Sequence, residues 1–503
     1  MKVLELSRKR STLISIFGGY INTAILVIQG LLLIPLYLHF IGAHSYGLWL
    51  STGGILGLLG VLNFGIGNIF TQRIANAFGK NDITNISLYF FNGVVVYFLV
   101  FIIFISIGIF LSYFFWFIYS GSELPNNLKE CFQLALLATG LSILNECLRS
   151  FSQALLHPTL SILSVAISRI LGTIISIMAL YHGHGLWAIP LGMAVCELLI
   201  FIFGIFITIE LLNKFQIKLL FNFLIVKEYF KQGGVMFVAS VGSSLARESD
   251  PILITYLLSP EITAAYMISR RAADILFQLL AIFGGAIHSS FSNLIGQGNS
   301  EKISKIACKM LIIITILSYI GYITYIYLNA FFVDLWVGKN YQIAQCIIVI
   351  MGLGFMASSL RIIILQLLNG FGDFNFSSRV IFLEGLTKVL LGALALNHWG
   401  LIGASLAFLG TSIFSLLFLY CKLKQRIIVR LNSLIILKFM FLTLTLSFIS
   451  AFVVKHIAVE SWLELILVAL IVLTIISLLL SAIDSKFFKR FFKDILNDLT
   501  SFG

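Results

Sequence analysis

The residues with the clearest chemical potential form the run Arg247-Glu248-Ser249-Asp250-Pro251, inside the hydrophobic stretch 233–258. A bilayer-spanning helix needs about 20 apolar residues, so these charges fall where lipid would be the neighbour. A charge at the bilayer centre costs about 2.5–3.5 kcal/mol, and such side chains normally face a polar cavity or a partner. Pro251 lacks the N–H that would bond the Arg247 carbonyl, which predicts a kink and a free acceptor. This combination is typical of a transport site.

Other ionisable residues also fall within hydrophobic segments, and many have helical spacing that allows ion pairing. Residues three or four apart share a helix face, so internal pairing is one interpretation of their presence. Buried carboxylates could instead carry protons, and the sequence leaves both interpretations open. The pairs are Glu146/Arg149, Arg247/Asp250, Arg270/Asp274, Arg271/Asp274 and Glu384/Lys388; the candidate proton carriers are Asp250, Glu248, Glu197 and Glu384; Arg169 and Arg361 have no acidic residue at these spacings.

The composition indicates an all-α membrane protein with many spans. Hydrophobic residues make up 59% of the 503 and charged residues only 11%, which excludes an ordinary soluble domain. The six cysteines are scattered singly, without CxxC or Cys/His spacing, so neither a disulfide framework nor a metal site is predicted. No loop is long enough for a catalytic domain, and no phosphate loop or nucleophile motif appears. We therefore expect neither an enzyme nor a bound cofactor.

The hydrophobic pattern predicts about fourteen spans, and the charged loops predict their orientation. One set of loops holds 23 Lys and Arg, and the opposite set holds three, which places both termini in the cytoplasm. The net charge of +12 therefore reflects topology, and no nucleic-acid partner is expected. The predicted spans are 13–38, 46–70, 86–118, 131–155, 159–180, 186–212, 232–258, 262–295, 305–333, 341–369, 377–397, 400–423, 432–454 and 461–483.

The chain repeats itself weakly, at offsets between 212 and 219 residues. Pro35 corresponds to Pro251, and Arg149 corresponds to Arg361. Six spans per copy keep both copies in one orientation, which predicts a parallel repeat with the two prolines as hinges at the interface. The predicted domains are a six-helix lobe at 1–212, a cytoplasmic interfacial linker at 213–231, a second six-helix lobe at 232–423, two additional spans at 432–483 and an amphipathic cytoplasmic tail at 484–503.

Segment 35–49, PLYLHFIGAHSYGLW, resembles the opening signature of the polysaccharide-export flippases. These are the Wzx-type lipid-linked oligosaccharide translocases of the MATE/MOP superfamily. Similar patterns follow at NFGIG (63–67), Arg73, GKND (79–82), DPILI (250–254) and Tyr266, so the resemblance covers the first twelve spans. The position of Asn63 is often acidic in such proteins, so no ionic role is assigned to it.

The resemblance implies two six-helix lobes in a V, which move undecaprenyl-diphosphate-linked sugar units to the outer leaflet of the bacterial inner membrane. The substrate would be an O-antigen or capsule unit, for lipopolysaccharide or capsule, and a polymerase and a chain-length regulator would be partners. The two extra spans resemble those of peptidoglycan-precursor flippases, where they are associated with the lipid tail. Guanidinium groups suit a pyrophosphate, so the expected headgroup-binding residues are, in order, Arg247, Arg270 and Arg271, Arg169, and Lys388.

A multidrug or toxic-cation antiporter of the same superfamily is the alternative. Such pumps need acidic groups to hold their cations, often in the early helices. No Asp, Glu, Lys or Arg occurs between residues 11 and 72, which favours the flippase.

Overall fold

The computed structural model describes residues 8–427 and 459–483, apart from 64, 119–124, 126 and 297–299. Regular structure in these residues is entirely helical. The predicted span 432–454 and the tail 484–503 lie outside the described part. The helices are α1 (Arg8–Leu59), α2 (Ile66–Gly79), α3 (Ile83–Ile118), α4 (Leu128–Ala154), α5 (Pro158–Tyr181), α6 (Ala188–Phe215), α7 (Phe223–Leu257), α8 (Pro260–Gly296), α9 (Ser300–Val337), α10 (Gln345–Gly370), α11 (Phe374–Arg426) and α12 (Trp462–Ile483).

Eight of the described helices are long and apolar enough to cross a membrane. They are formed by α1, α3–α6 and α9–α11, with α12 as a further apolar helix. Neither α7 nor α8 is among the eight, although each exceeds 30 residues. Both carry the internal charges discussed above, which lower their hydropathy. The chain is thus an all-α, multi-pass membrane protein, and the total of fourteen spans stays a prediction.

The two longest helices, α1 and α11, each contain a reversal at a glycine. Gly42 (φ 76°) and Gly400 (φ 55°) have non-helical backbone conformations. Residues with a Cβ rarely adopt such positive φ values. The ends of a straight 53-residue helix would be about 80 Å apart. Instead, Arg426 donates hydrogen bonds of 2.7 and 2.8 Å to Asp373 at the other end of α11. These bonds hold the pKa of the Asp373 carboxyl below its usual value.

The structure confirms the predicted division between the first two spans, 13–38 and 46–70. Tyr37 and Tyr46 lie on opposite sides of Gly42, and their ring centroids are 6.0 Å apart, closer than nine residues of straight helix would allow. The division at His157 is also confirmed, because α5 begins at Pro158. The division at 182–185 is confirmed by the end of α5 at Tyr181.

Two local predictions need correction. The predicted span 46–70 is not continuous, because α1 ends at Leu59 and α2 begins at Ile66, after a 3₁₀ turn and the left-handed Gly65. The helices are not broken at the prolines, because α7 is helical through Pro251 and α1 has its break at Gly42 rather than Pro35. Neighbouring turns therefore keep the helix intact where one N–H is missing. The hinge role of both prolines stays a prediction.

The described chain packs into two compact units. The first comprises Met1–Ala264 and Ile381–Leu396, and the second comprises Ala265–Val380 and Asn397–Gly503. In the first unit α7 packs against α1 and α3, alongside the contacts of α5 with α6 and of α4 with α6. Helix packing therefore groups α7 with the first six helices, whereas the predicted repeat boundary divides the chain at 212. The predicted domains remain a proposal about the repeat.

Part of the predicted interfacial linker, residues 218–222, is hydrogen-bonded to α3. Asn92 donates to the carbonyl of Leu220 at 3.0 Å and accepts from the backbone N–H of Asn222 at 2.9 Å. Ser87 accepts from the backbone of Lys218 at 3.0 Å. Because Ser87 and Asn92 are buried, these bonds satisfy polar groups that would be costly to leave unpaired. The stretch 218–222 is thus anchored to the first unit.

The second unit has a core rich in tyrosine. Tyr319, Tyr322 and Tyr325 on α9 are buried, and the Tyr322 hydroxyl lies 3.1 Å from that of Ser359 on α10. The Tyr325 hydroxyl donates to the carbonyl of Ser269 at 3.1 Å. Tyrosine contributes a large apolar surface, and its hydroxyl needs a partner when buried. These bonds therefore set the register of α8, α9 and α10.

Helices α7 and α11 cross with their backbones in direct contact. A Cβ added to Gly385 would lie 2.1 Å from the carbonyl oxygen of Gly242, and one added to Gly242 would lie 2.3 Å from that of Ile381. Each helix presents a glycine at this point because no side chain fits between them. The crossing brings 381–396 against α7.

We predict that Gly385→Ala destabilises the protein, because the new methyl would force the two backbones apart. Overpacking of this kind costs about 1–3 kcal/mol. Gly392→Ala on the same helix is the matched control, since its nearest neighbour would be the flexible Leu253 Cδ1 at 3.6 Å. Thermal unfolding of the purified variants should show a lower midpoint for Gly385→Ala and an equal or higher one for Gly392→Ala.

Candidate functional site

The first unit contains a buried ion pair between α7 and α11. The Lys388 ammonium lies 2.8 Å from Asp250 Oδ2, and the side chains are 2% and 5% exposed. Lys388 also donates to the backbone carbonyl of Ala246. Two full charges removed from water carry a large desolvation cost, and they remain ionised only when well paired and hydrogen-bonded. The second bond of Lys388 supplies part of that compensation.

The spacing of residues along α7 and α11 places Asp250 and Lys388 on the faces of the two helices that meet. Gly242, Ala246 and Asp250 are spaced by four, so they lie along one face of α7. Gly385 and Lys388 are spaced by three and share a face of α11. The glycine contact brings the two faces together, and the ion pair lies two turns along α7 from that contact.

Arg247 and Glu248 lie on other sides of the same turn of α7. The Arg247 side chain is 66% exposed, and its Nε lies 3.5 Å from Glu248 Oε1. Glu248 lies against the second arm of α1, where a Cβ on Gly57 would be 2.7–3.0 Å from its carboxyl group. Gly57 therefore leaves the space that Glu248 occupies.

The predicted Arg247/Asp250 pair on α7 is not formed, and Asp250 pairs with a residue of another helix instead. Asp250 is bridged to Lys388 rather than to Arg247, which contacts Glu248 instead. Glu384, one turn before Lys388, is also buried, at 3% exposure. Two carboxylates and one ammonium thus lie at low exposure on the facing helices.

Arg270 and Arg271 belong to the second unit and differ in their surroundings. The buried Arg270 donates from Nε to Asp274 at 3.2 Å, which confirms that predicted pair. Its guanidinium lies 5.4 Å from the Phe355 ring centroid and 5.8 Å from that of Phe408, within cation–π range. Arg271 is only partly buried. Arg270 is thus engaged in an aromatic core rather than free to take up a ligand.

Arg169 and Glu197 lie on α5 and α6 in the first unit, both partly buried. Arg169 donates to the carbonyl of Asn22 on α1 at 3.0 Å. Glu197 accepts 2.7 Å from the amide of Asn145 on α4. The predicted Glu146/Arg149 pair is confirmed at 2.7 Å. These residues form a second polar region, apart from the Asp250–Lys388 pair.

Three groups at the site are not among the residues predicted from the sequence. They are Gly242, Gly385 and the Ala246 carbonyl, all of ordinary types in a hydrophobic chain. A search for small residues at spacings of four before a buried charge would have found Gly242 and Ala246. Nothing local relates them to Gly385, because the contact joins positions far apart in sequence.

Comparison with known proteins gives one family match and one curated relative. The family model described as "Polysaccharide biosynthesis protein" matches residues 58–346, which is more than half of the chain. The uncharacterized membrane protein MJ1068 of Methanocaldococcus jannaschii is 23% identical over 214 residues. That alignment covers 41% of this chain, and the chain spans only 41% of the relative's length.

Solved structures of transporters share the fold. The lipid II flippase MurJ, in an inward closed conformation, aligns with a TM-score of 0.65 at 17% identity, over 94% of this chain and 99% of its own. The eukaryotic MATE transporter AtDTX14 aligns with a TM-score of 0.65 at 14% identity, over 88% and 98%. An inward-facing multidrug resistance MATE transporter of the MOP superfamily aligns at 0.55 and 15%, over 79% and 94%. At these identities the likeness shows the fold alone, which is that of MOP transporters.

We predict that removing one member of the ion pair is worse than removing both. Asp250→Asn or Lys388→Met alone leaves the other member of the pair without its ionic partner, and breaking a buried pair in this way costs about 3–5 kcal/mol. The double variant should therefore yield more folded protein, with a higher unfolding midpoint, than either single variant. Asp373→Asn, which breaks the exposed pair with Arg426, should lower stability by about 1 kcal/mol or less. Equal loss in single and double variants would contradict the buried pairing.

Proposed function

This chain belongs to the polysaccharide biosynthesis protein family, and from that premise we propose that it flips lipid-linked oligosaccharides across the bacterial cytoplasmic membrane. The chain is a transporter of the MOP type and not an enzyme. We propose that its substrate is an undecaprenyl-diphosphate-linked repeat unit of O-antigen or capsule. The observation that carries the proposal is the charged α7: an exposed Arg247 beside the buried Asp250–Lys388 pair, inside a membrane domain.

Arg247 is the residue proposed to bind the headgroup. Its guanidinium is largely exposed and only loosely held by Glu248 at 3.5 Å, so it can exchange that contact for a ligand. A planar guanidinium donates two parallel hydrogen bonds to phosphate oxygens and keeps its charge when desolvated. Arg169 and Arg271, both partly buried, are secondary candidates. Arg270 and Lys388 hold internal partners and would have to release them first.

Asp250, Glu384 and Lys388 are the groups proposed to couple flipping to protons. Two carboxylates and one ammonium, all nearly excluded from water, carry an excess negative charge when every group is ionised. Taking up one proton would remove that excess, and it would loosen the Asp250–Lys388 bond if Asp250 received it. Because the bond joins α7 to α11, its strength would affect how these helices move. Glu248 and Glu197 are the remaining candidates.

The proposed mechanism is alternating access between two six-helix lobes, with the prenyl tail remaining in lipid. The sugar-diphosphate head would cross between the lobes, with flexing at Pro35 and Pro251. The termini would be cytoplasmic, because the positive loops lie on that side. The two spans predicted at 432–454 and 461–483 would accompany the lipid tail, and a polymerase and a chain-length regulator would act on the flipped product.

A toxic-cation antiporter is the second candidate, because MATE transporters share the fold. A cation carrier needs an acidic site that its cargo can reach. In the described part of the first unit, Asp250 is bridged to Lys388 and Glu197 is bonded to Asn145. No acidic residue occurs between positions 11 and 72. These features favour the flippase.

We predict that Arg247→Ala reduces flipping of a defined undecaprenyl-diphosphate sugar in proteoliposomes by roughly 10- to 100-fold. A hydrogen bond to a charged group contributes about 1.5–3 kcal/mol, which corresponds to that range. Surface polysaccharide should be lost in cells at normal protein level. Arg379→Ala, which removes an exposed arginine of the second unit, is the control and should flip normally.

Two results would count against the proposal in different ways. Normal polysaccharide with Arg247→Ala at normal expression would remove Arg247 from the site but leave the function standing. Absence of flipping by the wild-type protein, together with increased drug susceptibility of a deletion strain, would favour the antiporter.

A further inference from the structure

A small cavity lies between α4, α5 and α6 in the first unit. It offers space for about one water molecule. Its walls combine polar and apolar side chains. The residues around it are Asn145, Leu148, Arg149, Ser152, Ser161, Ser164, Ile200, Gly204 and Ile207.

Two polar atoms of the cavity wall find no hydrogen-bond partner among the described residues. They are the amide oxygen of Asn145 and the Nε–H of Arg149. Asn145 is 0% exposed, and its amide nitrogen already donates to the carboxylate and the backbone carbonyl of Glu197, at 2.7 and 2.9 Å. Arg149 uses Nη2 to bind Glu146 at 2.7 Å. Two residues that line the same cavity thus contribute a buried acceptor and a buried donor without a partner.

The serines of the cavity offer oxygen lone pairs rather than further donors. The Ser164 hydroxyl donates a hydrogen bond of 2.8 Å to the carbonyl of Ser161. The Ser152 hydroxyl donates a hydrogen bond of 2.5 Å to the carbonyl of His157. Each hydroxyl oxygen can still accept a hydrogen bond. The cavity therefore presents one strong donor, from Arg149, and several acceptors.

This arrangement of one donor and several acceptors determines which kind of ligand can bind in the cavity. A cation would be repelled by the Arg149 guanidinium. A small anion would face the Asn145 oxygen and the serine oxygens, which cannot donate to it. A water molecule can accept from Arg149 and donate to Asn145 and to one serine, which gives the three bonds typical of a buried water.

We propose that this cavity binds a single structural water molecule that joins Glu197 and the Glu146–Arg149 pair into one hydrogen-bonded network. The chain of bonds runs from the Glu197 carboxylate to the Asn145 amide, through the water to Arg149 Nε, and on to Glu146. Asn145 is a positioning residue in it, because it holds Glu197 on one side and the water on the other. The network ties α4 to α6 within the membrane domain, and it does not depend on the substrate of the transporter.

The direct test is a cryo-EM map of the full-length protein at a resolution that shows buried waters elsewhere in the first unit. We expect a density peak within hydrogen-bond distance of both Asn145 Oδ1 and Arg149 Nε. A map that shows other buried waters but no peak here overturns the proposal. A peak coordinated only by the serines also overturns it, because the bridge between the two charged groups would be missing.

A double-mutant cycle tests the bridge in solution. Arg149→Lys keeps the positive charge beside Glu146 but removes the Nε–H, and Glu197→Gln removes the carboxylate at the other end. If the water joins them, their effects on the thermal unfolding midpoint should be non-additive by on the order of 1–3 °C. In an Asn145→Leu background, which cuts the chain in the middle, the same pair should become additive.

The matched control replaces Glu197→Gln with Glu210→Gln, on the exposed face of the same helix. Its combination with Arg149→Lys should be additive in both backgrounds. Additivity of Arg149→Lys with Glu197→Gln in the wild-type background would overturn the network. Non-additivity that persists with Asn145→Leu would also overturn it, because the coupling would then run directly through space. Both readouts are independent of flipping, so their failure leaves the proposed function untouched.

Discussion

The central physical constraint in this protein is the cost of keeping charge inside a low-dielectric membrane domain. The Asp250–Lys388 bond meets that cost for two full charges, with the Ala246 carbonyl as a further acceptor. It requires α7 and α11 to approach until their backbones touch, and Gly242 and Gly385 make that approach possible. Stability and function are therefore linked here, because the same bond that holds the helices would have to change strength if flipping is coupled to protons.

The charged side chains of the chain fall into three environments that suit different roles. Asp250 and Lys388 are buried and paired, which suits a switch more than a ligand site. Arg270 is enclosed by Phe355, Phe408 and its bond to Asp274, which suits a structural role. Arg247 is exposed and loosely paired, and this freedom makes it the proposed phosphate contact. Exposure and pairing, rather than residue type, separate these roles.

In the polar region on α4, α5 and α6, the buried polar groups likewise need partners to offset the cost of leaving water. Asn145 satisfies Glu197 with its amide nitrogen, and this leaves its oxygen facing the cavity beside Arg149. Ser87 and Asn92 likewise provide internal partners for the backbone of the 218–222 segment. Buried polar groups of the first unit thus take partners from neighbouring segments of the chain.

The sequence by itself determined the membrane class, the reversals near Gly42 and Gly400 and the local pairs Glu146–Arg149 and Arg270–Asp274. These properties follow from composition, turn residues and helical spacing, which act over a few residues. It could not determine the partner of Asp250, which lies 138 positions away on another helix, or the burial that distinguishes Arg270 from Arg247. The same residue types form ion pairs within one helix and between helices. Only the approach of α7 to α11 decided that the partner of Asp250 lies on another helix.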